Sequence, residues 1–236
     1  MYLSRLILDA RSREVRRDLS DCHDMHRTLL RAFGEARGPD GGSRNSFGIL
    51  YRLETDRQTG CPKVYVQSAE RPDWTRLPSG YLMGDCDVEN PACKELSRAY
   101  AQLHTGMVLA FALRANPTRK TGTASKAERL AGTRGNGHRV FITRPDEQIA
   151  WLRRKGEESG YELMSVRVDT NVPDVDTRPE PRVYGQRGEA KLTYGSVFFE
   201  GHLRITNEDK FRTTLTRGIG SGKAYGFGLL TVAPPR

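Results

Sequence analysis

Residues 1–33 read M-Y-L-S-R-L-I-L-D-A-R-S-R-E-V-R-R-D-L-S-D-C-H-D-M-H-R-T-L-L-R-A-F, and a change of period inside this stretch decides the fold. Over 2–8, apolar and polar residues alternate with the two-residue period of a strand. Ser20 or Asp21 can cap a helix running to about residue 33. Its apolar positions Cys22, Met25, Leu29 and Ala32 or Phe33 recur at helical spacing and should face inward. Between the two lies 9–18, where Arg11, Arg13, Arg16 and Arg17 crowd together; it reads as a basic connector. Beyond a polar, glycine-rich loop over 34–46, segments 47–53 and 63–68 read as two strands joined by a polar turn. Strand, helix, strand, strand is the opening of a ferredoxin-like unit.

Further out the elements are less even. Segment 72–106 mixes Pro, Gly and scattered Cys, and reads as the end of the first unit and a link to the second. M-V-L-A-F-A-L-R at 107–114 is a strand. Residues 116–139, dense in Lys, Arg, Gly and Thr, read as a mobile basic loop. A short strand over 140–142 precedes a helix capped by Thr143 and begun by Pro145, with Ile149, Leu152 and Trp151 inward. Segment 161–168 reads as a strand, and Pro-, Asp- and Arg-rich 170–187 as a loop. Residues 191–205 read as strands broken around Glu200-Gly201. Asn207 caps the last helix, Phe211 and Leu215 share its inner face, and a strand over 229–232 closes the chain. The expected fold class is α+β: tandem ferredoxin-like (RRM-like) domains over 1–95 and 96–236, the second carrying a C-terminal glycine-rich loop. No internal repeat is strong enough to prove duplication.

Lys plus Arg number 38 against 29 Asp plus Glu, a formal charge of +9. That balance favours a polyanionic partner, nucleic acid foremost. No apolar run approaches the ~20 residues of a membrane span, and the N-terminus alternates rather than building a signal core. A cytoplasmic protein with no membrane partner is expected. Cys22, Cys61, Cys86 and Cys93 form no C-x-x-C pair and read as reduced thiols, with zinc through Cys86, Cys93 and His104 as the alternative. The acidic residues are dispersed, which points to a metal-free mechanism and no cofactor.

Near the end, R-G-I-G-S-G-K-A-Y-G-F-G-L-L-T-V-A-P at 217–234 suggests a phosphate cradle. A nucleotide-binding P-loop requires G-x-x-x-x-G-K-[ST]. Here Arg217 stands at the first glycine and Ala224 at the hydroxyl position, so no nucleotide cofactor is expected. An RRM octamer fits at Lys223, Tyr225, Gly226 and Phe227 but fails at Ala224, Gly228 and Leu230. A packing turn and a polyanion-facing loop both remain open.

His23 and His26 lie one turn apart on the first helix, away from Met25 and Leu29, with Arg27 and Arg31 beside them. Two imidazoles and two guanidiniums at one helix edge suit acid–base chemistry next to a phosphate. A merely solvated pair is the bland alternative. His104, His138 and His202 read as structural or surface residues.

Taken together, M-Y-L-S-R-L, His23-x-x-His26, F-A-L-R-A-N-P at 111–117, E-Q-I-A-W-L-R-R-K at 147–155, F-F-E-G at 198–201 and the glycine-rich stretch resemble the CasE family. These are the CRISPR RNA-processing endoribonucleases of the type I-E Cascade complex. The resemblance runs nearly end to end. It implies two ferredoxin-like domains that grip a CRISPR repeat stem-loop and cut once at the 3′ base of the stem. The upstream 2′-hydroxyl attacks without a metal, leaving a 2′,3′-cyclic phosphate and a 5′-hydroxyl. The enzyme then stays bound as a subunit alongside other Cascade subunits. By resemblance His26 matches the family histidine and protonates the leaving oxygen. His23 replaces a family tyrosine, a departure that leaves it as the base or as an orienting group. Arg31 matches a position that is Lys in some members, where charge stabilises the transition state. RNA contacts fall to Arg16, Arg17, Arg27, Arg119, Lys120, Lys126, Arg134, Arg139, Arg182, Arg187 and Lys191, with Gly220, Gly222 and Lys223 abutting the backbone. A non-catalytic RNA-hairpin-binding subunit is the rival implication.

Overall fold

The computed structural model describes residues 1–34, 48–56, 58–121, 139–166 and 169–235. The chain begins with β1 (Tyr2–Ile7), α1 (Arg13–Ser20) and α2 (Cys22–Leu30), then a 3-10 turn at Arg31–Phe33. β2 (Leu50–Thr55) and β3 (Pro62–Ser68) form a hairpin, and β4 (Ala92–Glu95) completes a four-stranded antiparallel sheet in the order β2-β3-β1-β4. This is the order of a split β-α-β-β-α-β unit, with a 3-10 turn at Trp74–Arg76 in place of a full second helix. Leu6, Leu8, Val64 and Val66 on one face of the sheet bury Val15, Met25 and Leu29 of the helices.

After α3 (Ser97–Ala101) come β5 (Val108–Ala115), β6 (Thr118–Lys120), β7 (Arg139–Phe141), α4 (Pro145–Ser159), β8 (Tyr161–Leu163), β9 (Ser165–Val166) and β10 (Asp169–Pro173). Then follow β11 (Val175–Arg187), β12 (Ala190–Ile205), α5 (Glu208–Arg217) and β13 (Leu230–Ala233). The second sheet runs β11-β12-β5-β13, with β8 pairing the far end of β12. It repeats the order of the first, and α4 and α5 pack Trp151, Leu152, Phe211 and Leu215 onto Phe111, Leu113, Phe199 and Leu203. The architecture is mixed α and β, with two antiparallel sheets. No described helix is long and apolar enough to cross a membrane.

Several elements differ from the sequence reading. Part of the basic connector is helical: Val15 and Asp18 turn inward, and the Asp18 carboxylate accepts from the Tyr81 hydroxyl (2.8 Å) and the Arg17 guanidinium (2.7 Å). A buried carboxylate carries no apolar signal, so the helix escapes a periodicity search. The Pro-rich segment over 170–187 is strand, not loop. β11 is an edge, where Pro179 needs no second neighbour, and a register shift between Glu180 and Val183 absorbs Pro181. β12 is one continuous strand rather than two. Gly201 lies within it because a Cβ there would stand 2.1 Å from the Asp174 carbonyl oxygen. Conversely, the strand expected over 161–168 divides into β8 and β9. Arg144, not Thr143, precedes α4 as its cap. The ends of the basic segment pair as β6 and β7, while Lys126, Arg134 and the rest of 122–138 lie outside the described residues.

The two sheets are joined by buried polar groups. The Arg52 guanidinium, 3 % exposed, donates from β2 to the carbonyls of Ala112 (2.8 Å) and Leu229 (3.2 Å) and to the Thr231 hydroxyl (2.9 Å). From β3, Gln67 donates to the Leu215 carbonyl (2.6 Å) and accepts from the Tyr100 hydroxyl (2.8 Å). These bonds set where α2 lies relative to the C-terminal sheet.

Candidate active site

Asp21 starts α2. One carboxylate oxygen accepts from the backbone N–H groups of His23 (2.8 Å) and Asp24 (3.3 Å), satisfying donors that a helix N-terminus leaves open. The other accepts from the N–H of Gln186 on β11 (3.0 Å). One side chain thus caps the helix and ties it to the β11–β12 hairpin. Gly185 permits the approach, since a Cβ there would come 2.7 Å from the Cys22 sulfur. On the inner side the Tyr51 hydroxyl donates to the Cys22 carbonyl (3.3 Å).

With Cys22, Met25, Thr28 and Leu29 buried, α2 turns His23 and His26 outward and half-buried, with Arg27 exposed beside them. Arg31 is exposed on the following 3-10 turn. Burial pushes the Cys22 thiol up to about 11 and raises Tyr51. Both groups under the helix are therefore held neutral.

The glycine-rich stretch meets this helix. Lys223–Tyr225 forms a 3-10 turn between Gly222 (φ 76°) and Gly226 (φ 86°), both in the left-handed region that favours glycine. The turn brings the Tyr225 ring 6.3 Å from that of His23 and 6.2 Å from that of His26. Tyr194 of β12 stands behind it at 5.4 Å. Arg114 of β5 braces the same stretch: its guanidinium bonds Glu180 (2.6 Å) and Ser196 (3.0 Å) and covers the Phe227 ring at 5.2 Å. Two cavities flank the turn. Tyr225 lines one of about 500 Å³, with Cys22, Tyr51, Arg114, Glu180 and Arg182. Lys223 lines the other, of about 490 Å³, with Asn116, Arg139, Lys155 and Gly220.

The cations named from the sequence are thus distributed over several surfaces. Arg16 is turned onto the carbonyls of Ala10 (3.4 Å) and Arg11 (2.6 Å). Arg17 pairs with Asp18 and, at 3.4 Å, with Asp24, which also holds Arg27 at 3.4 Å. Lys223 caps the end of α5 by donating to the Arg217 carbonyl (2.7 Å). Arg119 pairs with Glu147 (3.1 Å), Lys120 is exposed next to it, and Arg139 donates to Thr118 (3.3 Å) on the β6–β7 ladder. Arg182, Arg187 and Lys191 are exposed along the β11–β12 hairpin. The structure groups His23, His26 and Arg27 on α2, with the hairpin at its start. Arg139 joins Gly220 and Lys223 around the second cavity. Among the described residues no cluster of three His, Cys, Asp or Glu could hold a metal, so Cys86, Cys93 and His104 do not assemble as zinc ligands.

Sequence reasoning passed over Tyr225, Tyr194 and Arg114. For Tyr225 a signal existed: an aromatic residue inside a stretch otherwise built to expose backbone. Tyr194 and Arg114 lie in strands, where nothing local marks them.

The sequence and fold have clear relatives. The chain is 38% identical over 237 residues to the CRISPR-associated endoribonuclease Cse3 of Thermus thermophilus, covering 99% of this chain and all of the relative. It is 30% identical over 236 residues to the CRISPR system Cascade subunit CasE of Escherichia coli, covering 99% of this chain and all of that one. A solved structure of CRISPR endoribonuclease Cse3 bound to a 19-nucleotide RNA superposes with a TM-score of 0.77 at 34% identity, covering 99% of this chain and 100% of that one. The sequence model of the family of CRISPR-associated proteins matches residues 1–234. This chain is a member of that family, of its CasE type.

Proposed function

We propose that the chain is an endoribonuclease that processes precursor CRISPR RNA and remains a subunit of a Cascade assembly. It binds the repeat stem-loop, cuts at the 3′ base of the stem and keeps the product. The observation that carries this reading is the outward His23–His26 pair with Arg27, in a chain of full-length kinship to a named endoribonuclease. Supporting it are the +9 charge and the exposed Arg182, Arg187 and Lys191 near the start of α2. A cytoplasmic setting fits four free cysteines.

In this mechanism the 2′-oxygen upstream of the cut attacks phosphorus, and its proton passes to His23. The P–O5′ bond breaks, and the 5′-oxygen takes a proton from His26. Atoms balance with no water consumed, which leaves a 2′,3′-cyclic phosphate and a 5′-hydroxyl. Arg31 stabilises the charge that builds on the phosphorane. Arg16, Arg17, Arg27, Arg119, Lys120, Arg139 and the hairpin cations hold RNA phosphates, as do Lys126 and Arg134. Gly220, Gly222 and Lys223 form a C-terminal glycine-rich loop that abuts the backbone. For Arg16, Arg17, Arg27, Arg119, Arg139 and Lys223 this requires exchanging or sharing the present protein partners. The sheets then act as two domains, 1–95 and 96–236. Recognition follows hairpin shape and phosphates, since the A-form major groove is narrow.

Incubation with repeat RNA in EDTA, followed by analysis of the product ends, tests the reading. Cleavage with a cyclic phosphate is expected. His26→Ala should slow the cut by at least about 100-fold with hairpin affinity changed only a few fold. Tight binding with intact RNA would favour a non-catalytic hairpin-binding subunit instead.

A further inference from the structure

We propose that Tyr225 is a positioning residue for the His23–His26 pair, which makes the glycine-rich stretch part of the cleavage apparatus. The inference rests on the assignment of that pair to proton transfer. Tyr225 touches both imidazoles at nearly equal distance, tilted by 58° to His23 and edge-on by 72° to His26. The edge-on contact with His26 is one that aromatic rings prefer. His23 Nδ1 is buried with no hydrogen-bond partner among the described residues. No bond at that nitrogen orients the ring, and the contact with Tyr225 is what restricts it. The Tyr225 hydroxyl has no partner among the described residues, so the ring is what it offers the histidines.

The position of that ring is strongly determined. At Gly222 an added Cβ would stand 2.9 Å from the Phe227 ring, and at Gly226 one would stand 3.0 Å from the Tyr51 ring. Larger residues would force the turn or those rings to shift. The Tyr225 N–H donates to the Gly222 carbonyl (2.8 Å), closing the turn. Behind it, Tyr194 packs on both Tyr225 (5.4 Å) and Phe227 (5.7 Å), and the Arg114 guanidinium lies over the Phe227 ring. A chain of contacts therefore runs from the part-buried Arg114–Glu180 pair to the imidazoles. It builds the wall against which both rings rest.

Three variants assayed together decide the matter: Tyr225→Phe, Tyr225→Ala and His26→Ala. Each is measured for single-turnover cleavage of the repeat hairpin, for hairpin affinity and for the pH dependence of the rate. Tyr225→Phe keeps the ring and should cleave within about 3-fold of the parent. Tyr225→Ala should lose about 10- to 100-fold in rate, the scale of a misplaced reacting group, with affinity within a few fold and the limbs of the pH–rate profile moved. Cleavage by Tyr225→Ala at the parental rate overturns the proposal. So does a loss of rate matched by affinity and Tm with the pH profile unmoved, which is the mark of a packing residue. If the alanine variant does not fold, Tyr225→Leu, which keeps apolar bulk without ring geometry, takes its place with the same expectations. Parental cleavage by His26→Ala would instead remove the underlying assignment, a separate failure.

Discussion

At the scale of single residues, the two histidines of α2 are not equivalent. His23 is the first-turn residue whose N–H is capped by Asp21, and its Nδ1 is buried. His26 lies one turn on, with its ring 6.2 Å from that of Tyr225. If His23 takes the proton of the 2′-hydroxyl, His23→Ala should lower single-turnover cleavage by about 10- to 100-fold, a smaller loss than at His26. An unchanged rate would reduce His23 to a bystander. The pair and its arginine were legible in the sequence because helical spacing separates Met25 and Leu29 from His23, His26 and Arg27. Tyr225 stood out only as an aromatic among glycines, and its role was hidden because what it faces is set by residues about two hundred positions away.

Among the elements, the start of α2 carries the most consequence for its size. Asp21 caps the helix and bonds the hairpin, so one carboxylate links the hairpin that carries Arg182, Arg187 and Lys191 to the turn that carries His23. Asp21→Ala should cost about 1–2 kcal/mol of stability and lower Tm by about 2–4 °C for each. Cleavage should fall by more than hairpin affinity. Asp21→Asn, also a good cap, should recover most of the Tm. Equal losses of rate and affinity would show that the cap does not register the helix. For the hairpin itself, Arg182→Ala with Arg187→Ala should reduce the slope of log affinity against log salt by about 2, one for each lost phosphate contact. A slope equal to the parent's would place these residues off the RNA. β11 was hidden in the sequence because its prolines are tolerated only by an edge, and edge position is not a local property.

For the whole molecule, the relation of the two sheets rests on few buried polar groups. Arg52 reaches two carbonyls and a hydroxyl of the C-terminal sheet, pairs with Glu54, and lies 5.4 Å from the Tyr65 ring and 5.5 Å from the Phe198 ring. Arg52→Met keeps length but leaves those acceptors unpaired. It should cost about 1–3 kcal/mol, read as a lower urea midpoint, and should slow cleavage because α2 and the glycine-rich stretch lose their common frame. A midpoint equal to the parent's would show that apolar packing alone holds the sheets together.

The sequence by itself determined the alternation of strands and helices, the outward face of α2, and the glycines at 218–228 whose positive φ no other residue favours. Each of these depends on a residue and its near neighbours. Only the tertiary structure decided that 13–20 is helix, that 175–187 is strand, and that Tyr225 stands between two imidazoles. A buried carboxylate, an edge strand and a ring contact each take their meaning from a partner distant in the chain: Tyr81 for Asp18, β12 for β11, α2 for Tyr225.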